Sequence, residues 1–297
     1  MNVQEKTAPH IARARRVSVD SAGKPILKWA GSKRKLLPEL RARMPKAFGC
    51  YFEPFAGGLA LFFDVNPGRA FLTDTNADLI ELYQEVARAP EPIARYAAAL
   101  ARMHTQRVYF DTRERWNTER AEWAPYIRAA TFLYLNRSCF NGLFRLNKRG
   151  MFNVPPGRYR TIAVPDAAQL AAAQRVLQGR RIFQMDFRNA LSFVSPGDFV
   201  YADPPYVPLT KSSSFTSYTS ASFGQRDQVE LAQKLGELVQ QGVRVMASNS
   251  DTDIVRALYG DTSIWTLHEV KAARSINSKG GKRGEIGELV ITGGYSV

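Results

Sequence analysis

Short apolar runs alternate with longer stretches of helical spacing along most of this chain, and from Ile26 onward the pattern is that of a folded protein. Tyr51–Phe55 is an apolar run that stops at Gly57-Gly58, where a helical pattern begins; strand, tight glycine turn and helix are expected there. Ala70–Thr73 predicts a second strand closing on Asp74, and Asp78–Ala87 a helix. From about Pro90 to Arg137 the chain is rich in Ala, Arg, Glu and aromatics at helical spacing and offers no good strand. Asn141–Arg160, rich in Gly, Pro and Asn, predicts a basic loop or hairpin. Arg181–Met185, Asp198–Tyr201 and Val243–Ser248 then read as strands separated by helical segments, and Ser263–Val270 and Glu288–Thr292 add two more. An alternating β/α pattern that is interrupted and then resumed predicts an α/β, doubly wound sheet. Its halves are residues 25–89 and 176–297, with a mainly helical domain, 90–175, inserted between them. Residues 1–24 are expected to be a flexible basic arm, and Lys211–Ser222, dense in Ser, Thr and aromatics, a mobile loop.

Charge narrows the partners. The 297 residues carry 41 Lys and Arg against 27 Asp and Glu, a formal net charge of +14. That excess calls for a polyanion but says nothing about fold. No apolar run reaches the roughly 18–20 residues of a membrane span, and there is neither a lipid anchor signal nor a basic amphipathic helix. Nucleic acid is therefore the expected partner. The two cysteines, Cys50 and Cys139, stand far apart outside any Cys/His cluster, which argues against a disulfide framework or a zinc site and fits a reducing cytoplasm. His10, His104 and His268 are scattered and read as surface or packing residues. Arg13, Arg15 and Arg16 are not followed by an apolar stretch, so no secretory signal is expected.

One hexapeptide carries chemistry. Tyr201-Ala202-Asp203-Pro204-Pro205-Tyr206 follows an apolar strand directly. Two successive prolines fix φ and supply no backbone donor, so the chain leaves the strand in a stiff shape while their carbonyls remain acceptors. Asp203 and the Pro204 carbonyl make a rigid acceptor pair beside the Tyr206 ring. Such a pair suits a planar amino group, whose two N–H bonds it can accept while the ring stacks on the heterocycle. A plain strand-ending turn with a capping Asp is the competing reading.

With that motif in view, the chain from about Leu27 onward resembles the Dam-type DNA adenine-N6 methyltransferases, members of the alpha class of amino-methyltransferases. Leu27-Lys28-Trp29-Ala30-Gly31-Ser32-Lys33 is similar to the family's N-terminal cofactor motif, Glu53-Pro54-Phe55-Ala56-Gly57-Gly58 to its Phe-x-Gly loop, and Asp74-Thr75-Asn76 to its acidic motif. Leu133–Arg137, Asn141–Arg145, Phe152–Pro155 and Gly157-Arg158-Tyr159 resemble its DNA-recognition region. Asp203–Tyr206 resembles its catalytic motif, and Ser248-Asn249, Asp251 and Arg274-Ser275-Ile276 also fit. The order of the motifs is as telling as the matches: cofactor first, recognition next, catalysis last. The sequence departs at Ser32, where the family commonly has Gly, and at Leu59, where the second glycine of Phe-x-Gly-x-Gly would fall; Gly58 is expected to supply the close backbone approach instead.

The resemblance implies a Rossmann-like methyltransferase sheet with an inserted DNA-recognition domain. It also implies methyl transfer from S-adenosyl-L-methionine to N6 of a flipped-out adenine in duplex DNA, leaving S-adenosyl-L-homocysteine, without a metal. It assigns catalysis to Asp203, Pro204, Pro205 and Tyr206. For the cofactor it points to Trp29, Ala30, Gly31, Lys33, Glu53, Phe55, Gly57, Gly58, Asp74, Asn76, Asp186 and Asp203, with Asp74 for the ribose hydroxyls and Lys33 near the methionine carboxylate. For DNA it points to Lys28, Phe140, Leu143, Arg145 and Pro155 at the bases. Arg137, Asn141, Arg158 and Tyr159 would hold phosphates or orient the loop, and Arg274 and Ser275 belong to a second basic stretch. The family's usual target is GATC. A bacterial or phage-encoded cytoplasmic enzyme, monomeric and without an obligate protein partner, is the expectation. Another adenine site, cytosine N4, an RNA adenine, a glutamine side chain or a non-catalytic DNA-binding relative are the alternatives.

Overall fold

A computed structural model describes residues 23–206, 223–272 and 286–297. The expected loop Lys211–Ser222, as well as Arg274, Ser275 and Ile276, lie outside the described residues, as do positions 1–22. Seven strands form one sheet: β1 Tyr51–Glu53, β2 Ala70–Asp74, β3 Arg181–Gln184, β4 Phe199–Ala202, β5 Arg244–Ser250, β6 Trp265–Ala272 and β7 Ile286–Gly293. Their order is β3-β2-β1-β4-β5-β7-β6. The first five run parallel, and β7 enters antiparallel between β5 and β6. This is the doubly wound α/β sheet that the alternating pattern predicts. Its order reverses between β1 and β4, and a crevice outside the carboxyl ends of those strands is where such sheets bind ligands.

Burial explains which runs became strands. β1, β4 and nearly all of β5 are buried on both faces, as expected of unbroken apolar runs at the centre of a parallel sheet, whereas β3 is an edge with Ile182 its buried residue. The helices are α1 Leu37–Ala42, α2 Ala60–Val65, α3 Ala77–Arg88, α4 Pro90–Arg102, α5 Gln106–Glu119, α6 Pro125–Ser138, α7 Ala167–Leu177, α8 Phe187–Leu191, α9 Gln225–Gln240 and α10 Asp253–Leu258. Several begin at side-chain caps: Asn76 for α3, Thr105 for α5, Asp166 with Gln169 for α7 and Thr252 for α10. No described helix is long and apolar enough to cross a membrane.

The helical stretch α4–α7 shares its apolar core with the sheet. One cluster runs from Tyr51, Phe62 and Leu72 through Leu79 and Tyr83 of α3 to Trp116, Phe132 and Ile162. Gly23 is packed rather than part of a free arm: a Cβ there would stand 2.9 Å from the Ala172 carbonyl oxygen of α7. The basic segment after α6 is a hairpin closed by bridges Cys139–Pro156 and Leu146–Phe152. Helix α5 holds it through side chains one turn apart. Tyr109 and Arg113 donate to the Val154 carbonyl at 2.8 and 3.0 Å, and the Asn117 amide bonds both the Phe152 N–H (2.8 Å) and its carbonyl (3.0 Å), as a facing strand would.

Leu59, just before α2, adopts φ 52° and ψ 37° with its side chain 1% exposed. The left-handed region costs a non-glycine residue roughly 1–2 kcal/mol, so the backbone still has the shape a second motif glycine would take, and burial of the leucine offsets the strain. We expect Leu59→Ala and Leu59→Gly both to destabilise, through the lost side chain. Leu59→Gly should nevertheless be the more stable of the two by about 1 kcal/mol, the reverse of the order in a helix interior; urea denaturation of the pair measures it.

Candidate active site

The turn after β1 is built by neighbours on three elements. The Gly57 N–H donates to Asp74 Oδ2 (3.0 Å) at the end of β2, and its carbonyl accepts the Tyr83 hydroxyl (2.7 Å) of α3. Trp29 lies across the two glycines: a Cβ on Gly57 would meet Trp29 Nε1 at 3.0 Å, and one on Gly58 would meet Trp29 Cβ at 3.1 Å. Gly58 is thus closely packed against the tryptophan, while Leu59 carries a positive φ. In the preceding turn Gly31 takes φ +80° and Ser32 φ −53°, so serine at 32 meets no backbone penalty. Ala30 and Gly31 are exposed at this rim.

The acidic residues divide into distinct environments. Burial pushes the Asp74 carboxyl above the usual range against the opposing pull of the Asn76, Gly57 and Thr75 N–H groups. Glu53 is buried at the end of β1, accepts the Tyr51 hydroxyl at 2.7 Å, and is held well above the usual carboxylate range by desolvation. The Asn76 side chain accepts from Leu79 N (3.1 Å), and Asp186 accepts from Arg188 N (2.9 Å), so both cap helices. The Arg188 guanidinium further pairs with Asp186, Asp227 and Glu230. Phe55 stacks on Phe187 at 5.6 Å and meets Phe223 edge-on at 5.5 Å.

Asp203 leaves the end of β4 directly toward this crevice and meets Lys33. The Lys33 ammonium, 6% exposed, lies 2.6 Å from Asp203 Oδ1 and 2.8 Å from Oδ2, and donates also to the Gly31 carbonyl at 2.7 Å. Only the Oδ2 contact has hydrogen-bond geometry; Oδ1 is buried without a hydrogen-bond partner among the described residues. The same ammonium sits 4.5 Å from the centroid of the Tyr206 ring. Desolvation raises the Asp203 carboxyl, and the Lys33 charge opposes that rise. Pro204 is buried and Pro205 exposed.

The Pro-Pro turn is braced by motif residues together with two that the sequence motifs did not single out, Gln228 and Glu288. The Pro205 carbonyl accepts from Gln228 Nε2 of α9 (2.7 Å), and Gln228 Oε1 accepts from Asn249 Nδ2 of β5 (3.0 Å). Tyr201 and Ser248 hydroxyls pair at 3.1 Å. Tyr206 donates its hydroxyl to Glu288 Oε2 of β7 at 2.9 Å. Asp251, by contrast, is held by Arg256 at 2.6 Å. Glu288 opens the unbroken apolar run Leu289–Ile291, which could have flagged it as a carboxylate in a buried strand; nothing local marks Gln228.

A second group of expected residues gathers beside the glycine turn. Asn136 of α6 grips both backbone groups of Lys28, accepting from its N–H at 3.0 Å and donating to its carbonyl at 2.7 Å, and reaches the Gly142 carbonyl at 3.2 Å. Arg137 turns inward, with Nε donating to the Ile26 carbonyl at 3.1 Å, so it orients the N-terminal segment. The Lys28 ammonium rests 4.3 Å over the Tyr159 ring, and Trp29 stacks with Phe144 at 6.2 Å. Asn141 takes φ 55°, next to Phe140, which is 44% exposed. Arg145 is exposed but aimed by Asn153, whose Oδ1 accepts its Nε at 2.8 Å. Leu143 is half-buried, and Pro155 and Arg158 are exposed. Arg145, Lys148, Arg149, Arg158 and Arg160 all face solvent on a hairpin without an acidic residue.

Known proteins resemble this chain over most of its length. The family described as D12 class N6 adenine-specific DNA methyltransferase matches residues 29–276. The Type II methyltransferase M1.LlaDCHI of Lactococcus lactis subsp. cremoris is 38% identical over 91% of this chain and 95% of its own length. The DNA adenine methylase of Escherichia coli K12 is 37% identical over 89% and 93%. The Type II methyltransferase M.MjaIII of Methanocaldococcus jannaschii is 36% identical over 90% and 98%.

The ion pair sets a titration that can be read directly. Lys33 lowers the Asp203 carboxyl against desolvation, so in Lys33→Met the midpoint should rise. An opposite charge at this range shifts a carboxyl by roughly 1–3 pH units. Carbon-13 NMR of labelled aspartate carboxyls measures it; an unchanged Asp203 midpoint would mean that the ammonium does not hold the charge.

Proposed function

The chain belongs to the D12 class N6 adenine-specific DNA methyltransferases, and from that premise we propose that it uses S-adenosylmethionine to methylate N6 of an adenine flipped out of duplex DNA, within the sequence GATC. The observation that carries the reading is the acceptor site at Asp203: a carboxylate at the end of β4, paired with the Lys33 ammonium at 2.6 Å, next to a donorless Pro-Pro turn and beside an aromatic ring.

The residues at the ends of β1, β2 and β4 fit the cofactor. Trp29 and the Gly57-Gly58 turn offer an apolar wall and close backbone, Asp74 a carboxylate for ribose hydroxyls, and Glu53 with Asp203 an acidic floor suited to a positively charged group. S-adenosylmethionine supplies an electrophilic methyl group carried on a sulfonium sulfur. Everything else falls to the chain. The N6 lone pair of adenine is delocalised into the ring. Asp203 and the Pro204 carbonyl, each accepting one N6 hydrogen, favour a more tetrahedral nitrogen, and the Asp203 charge stabilises the positive charge that builds there. Tyr206 holds the base by its face. The Lys33 ammonium stands on the same carboxylate and beside the same ring, and it releases both as the amino group arrives. No general base is needed before transfer, since the alkylated nitrogen is acidic enough to lose its proton to water.

Residues 90–175 supply recognition in this reading. An arginine can be bidentate to guanine O6 and N7, and Leu or Pro can meet a thymine methyl. Arg145, aimed by Asn153, suits the former, and Leu143 and Pro155 the latter. Lys28 reaches the other end of the site, and exposed Phe140 suits the gap left by the flipped base. The exposed cations of the hairpin meet phosphates. The enzyme acts on duplex DNA in the cytoplasm and needs no protein partner.

Incubation of unmethylated plasmid with the protein and S-adenosylmethionine should yield N6-methyladenine by nucleoside mass spectrometry and full protection from a nuclease that GATC methylation blocks. N6-methyladenine without protection would overturn the target, and no modified base would overturn the reaction. Asp203→Ala should lower the transfer rate by about 100-fold or more while DNA binding persists. Arg145→Ala should erode discrimination against one-base variants of the site by about 1–3 kcal/mol, read as ratios of kcat/KM.

A further inference from the structure

Glu288 lies in β7, 82 positions beyond Tyr206 in the chain, yet its carboxylate receives the Tyr206 hydroxyl at 2.9 Å. The sheet explains how. The parallel strands end at the crevice, and β7, running the other way, brings its first residues to that same edge: Glu288 is paired with Ser250 at the end of β5 and with Val270 of β6. Glu288 is 7% exposed, so its carboxylate is desolvated beside a second one, Asp203, whose carboxyl it pushes upward. Burying a second acid next to the reacting one is costly unless it has a task that a neutral residue would do less well. A hydrogen bond to a charged acceptor is about twice as strong as a neutral one. Burial and the nearby Asp203 and Glu288 charges hold the Tyr206 phenol well above its usual range, so it keeps its proton and remains the donor.

We propose that Glu288 is a positioning residue: it fixes the plane of the Tyr206 ring, and through that ring the stacking of the flipped adenine against the Asp203 and Pro204 acceptors. The Lys33 ammonium lies 4.5 Å from the ring centroid, which shows that this ring is presented to the space next to Asp203. With its hydroxyl tied to β7, Tyr206 cannot rotate away when the base enters. The inference rests on the adenine reading given above.

The test is a double-mutant cycle between positions 206 and 288, read by single-turnover methyl transfer and by the fluorescence of a duplex with 2-aminopurine at the target position. Glu288→Ala and Tyr206→Phe should each slow transfer by about 10- to 100-fold, the range for losing a hydrogen bond to a charged partner. Glu288→Gln, which keeps an acceptor, should lose less. Both strong variants should reduce the 2-aminopurine signal and leave the KM for S-adenosylmethionine unchanged. In the Tyr206→Phe background a further change at position 288 should cost little, because the shared bond is already gone. Equal losses in both backgrounds, or full activity of Glu288→Ala, would overturn the proposal. If Glu288→Ala fails to fold, the cycle of Glu288→Gln with Tyr206→Phe decides the same question. A wild-type protein that methylates no adenine would instead sink the functional reading itself, so the two failures are distinguishable.

Discussion

A carboxylate at the end of a central strand is expensive to keep charged, and the rest of the site is arranged around how Asp203 is kept so. Desolvation favours its neutral form, and Lys33, itself 6% exposed, supplies the opposing charge at 2.6 Å. Removing one partner of such a pair leaves an uncompensated buried charge, so the two residues depend on each other although they belong to opposite ends of the sequence. The pair also explains the neighbours. Burial pushes the Glu53 carboxyl well above its usual range, and it accepts the Tyr51 hydroxyl. The floor of the crevice is therefore acidic in composition, with desolvation opposing the charge of both Glu53 and Asp203. An ammonium meets that floor now, and a positively charged sulfonium or an alkylated amine is the kind of group it suits.

The lysine reaches Asp203 only because residues 26–33 are fixed, and α6 does the fixing. Asn136 clamps the backbone of Lys28 on both sides, and Arg137, one residue on, holds the Ile26 carbonyl. The segment so pinned carries Lys28 toward the recognition hairpin, Trp29 onto the glycine turn and Lys33 into the catalytic crevice. Gly142 shows how tight the junction is: a Cβ there would fall 2.4 Å from the Lys28 Cβ. In the proposed reading, recognition and catalysis share this one short piece of chain, and a shift of it would disturb both.

Much of the fold was legible because parallel strands buried on both faces write unbroken apolar runs, and because glycine turns and caps punctuate them. The motif residues at the strand ends could be read for the same reason: Asp74, Asp203 and Gly57 sit where a run stops. Two departures from the family pattern proved harmless for reasons visible only in φ. Gly31 takes the positive angle that would have troubled Ser32, and Leu59 accepts a left-handed backbone in exchange for burial. What the sequence could not reveal were contacts made across the sheet or between distant helices. Glu288 comes to the site through the antiparallel insertion of β7, and Gln228 reaches Pro205 from a helix whose apolar spacing looks ordinary. Arg137, in a basic motif, could be read equally as a phosphate ligand, and only its direction toward Ile26 decides.

The division of labour between charge and amide follows from the cost of burial. Several residues that hold functional segments from behind are amides: Asn136 at Lys28, Asn117 at Phe152, and Gln228 with Asn249 at Pro205. An amide offers donor and acceptor together and carries no net charge, so it can satisfy a backbone N–H and carbonyl at once, as Asn117 does, without the desolvation cost of an ion. The cations of the hairpin stay in solvent, where an anionic backbone can find them. Were the supports charged and buried, they would compete with the phosphates for those arginines and lysines. With amides in these places the basic surface is left to its partner, and Lys33, buried in the crevice, is set against the carboxylate that leaves β4.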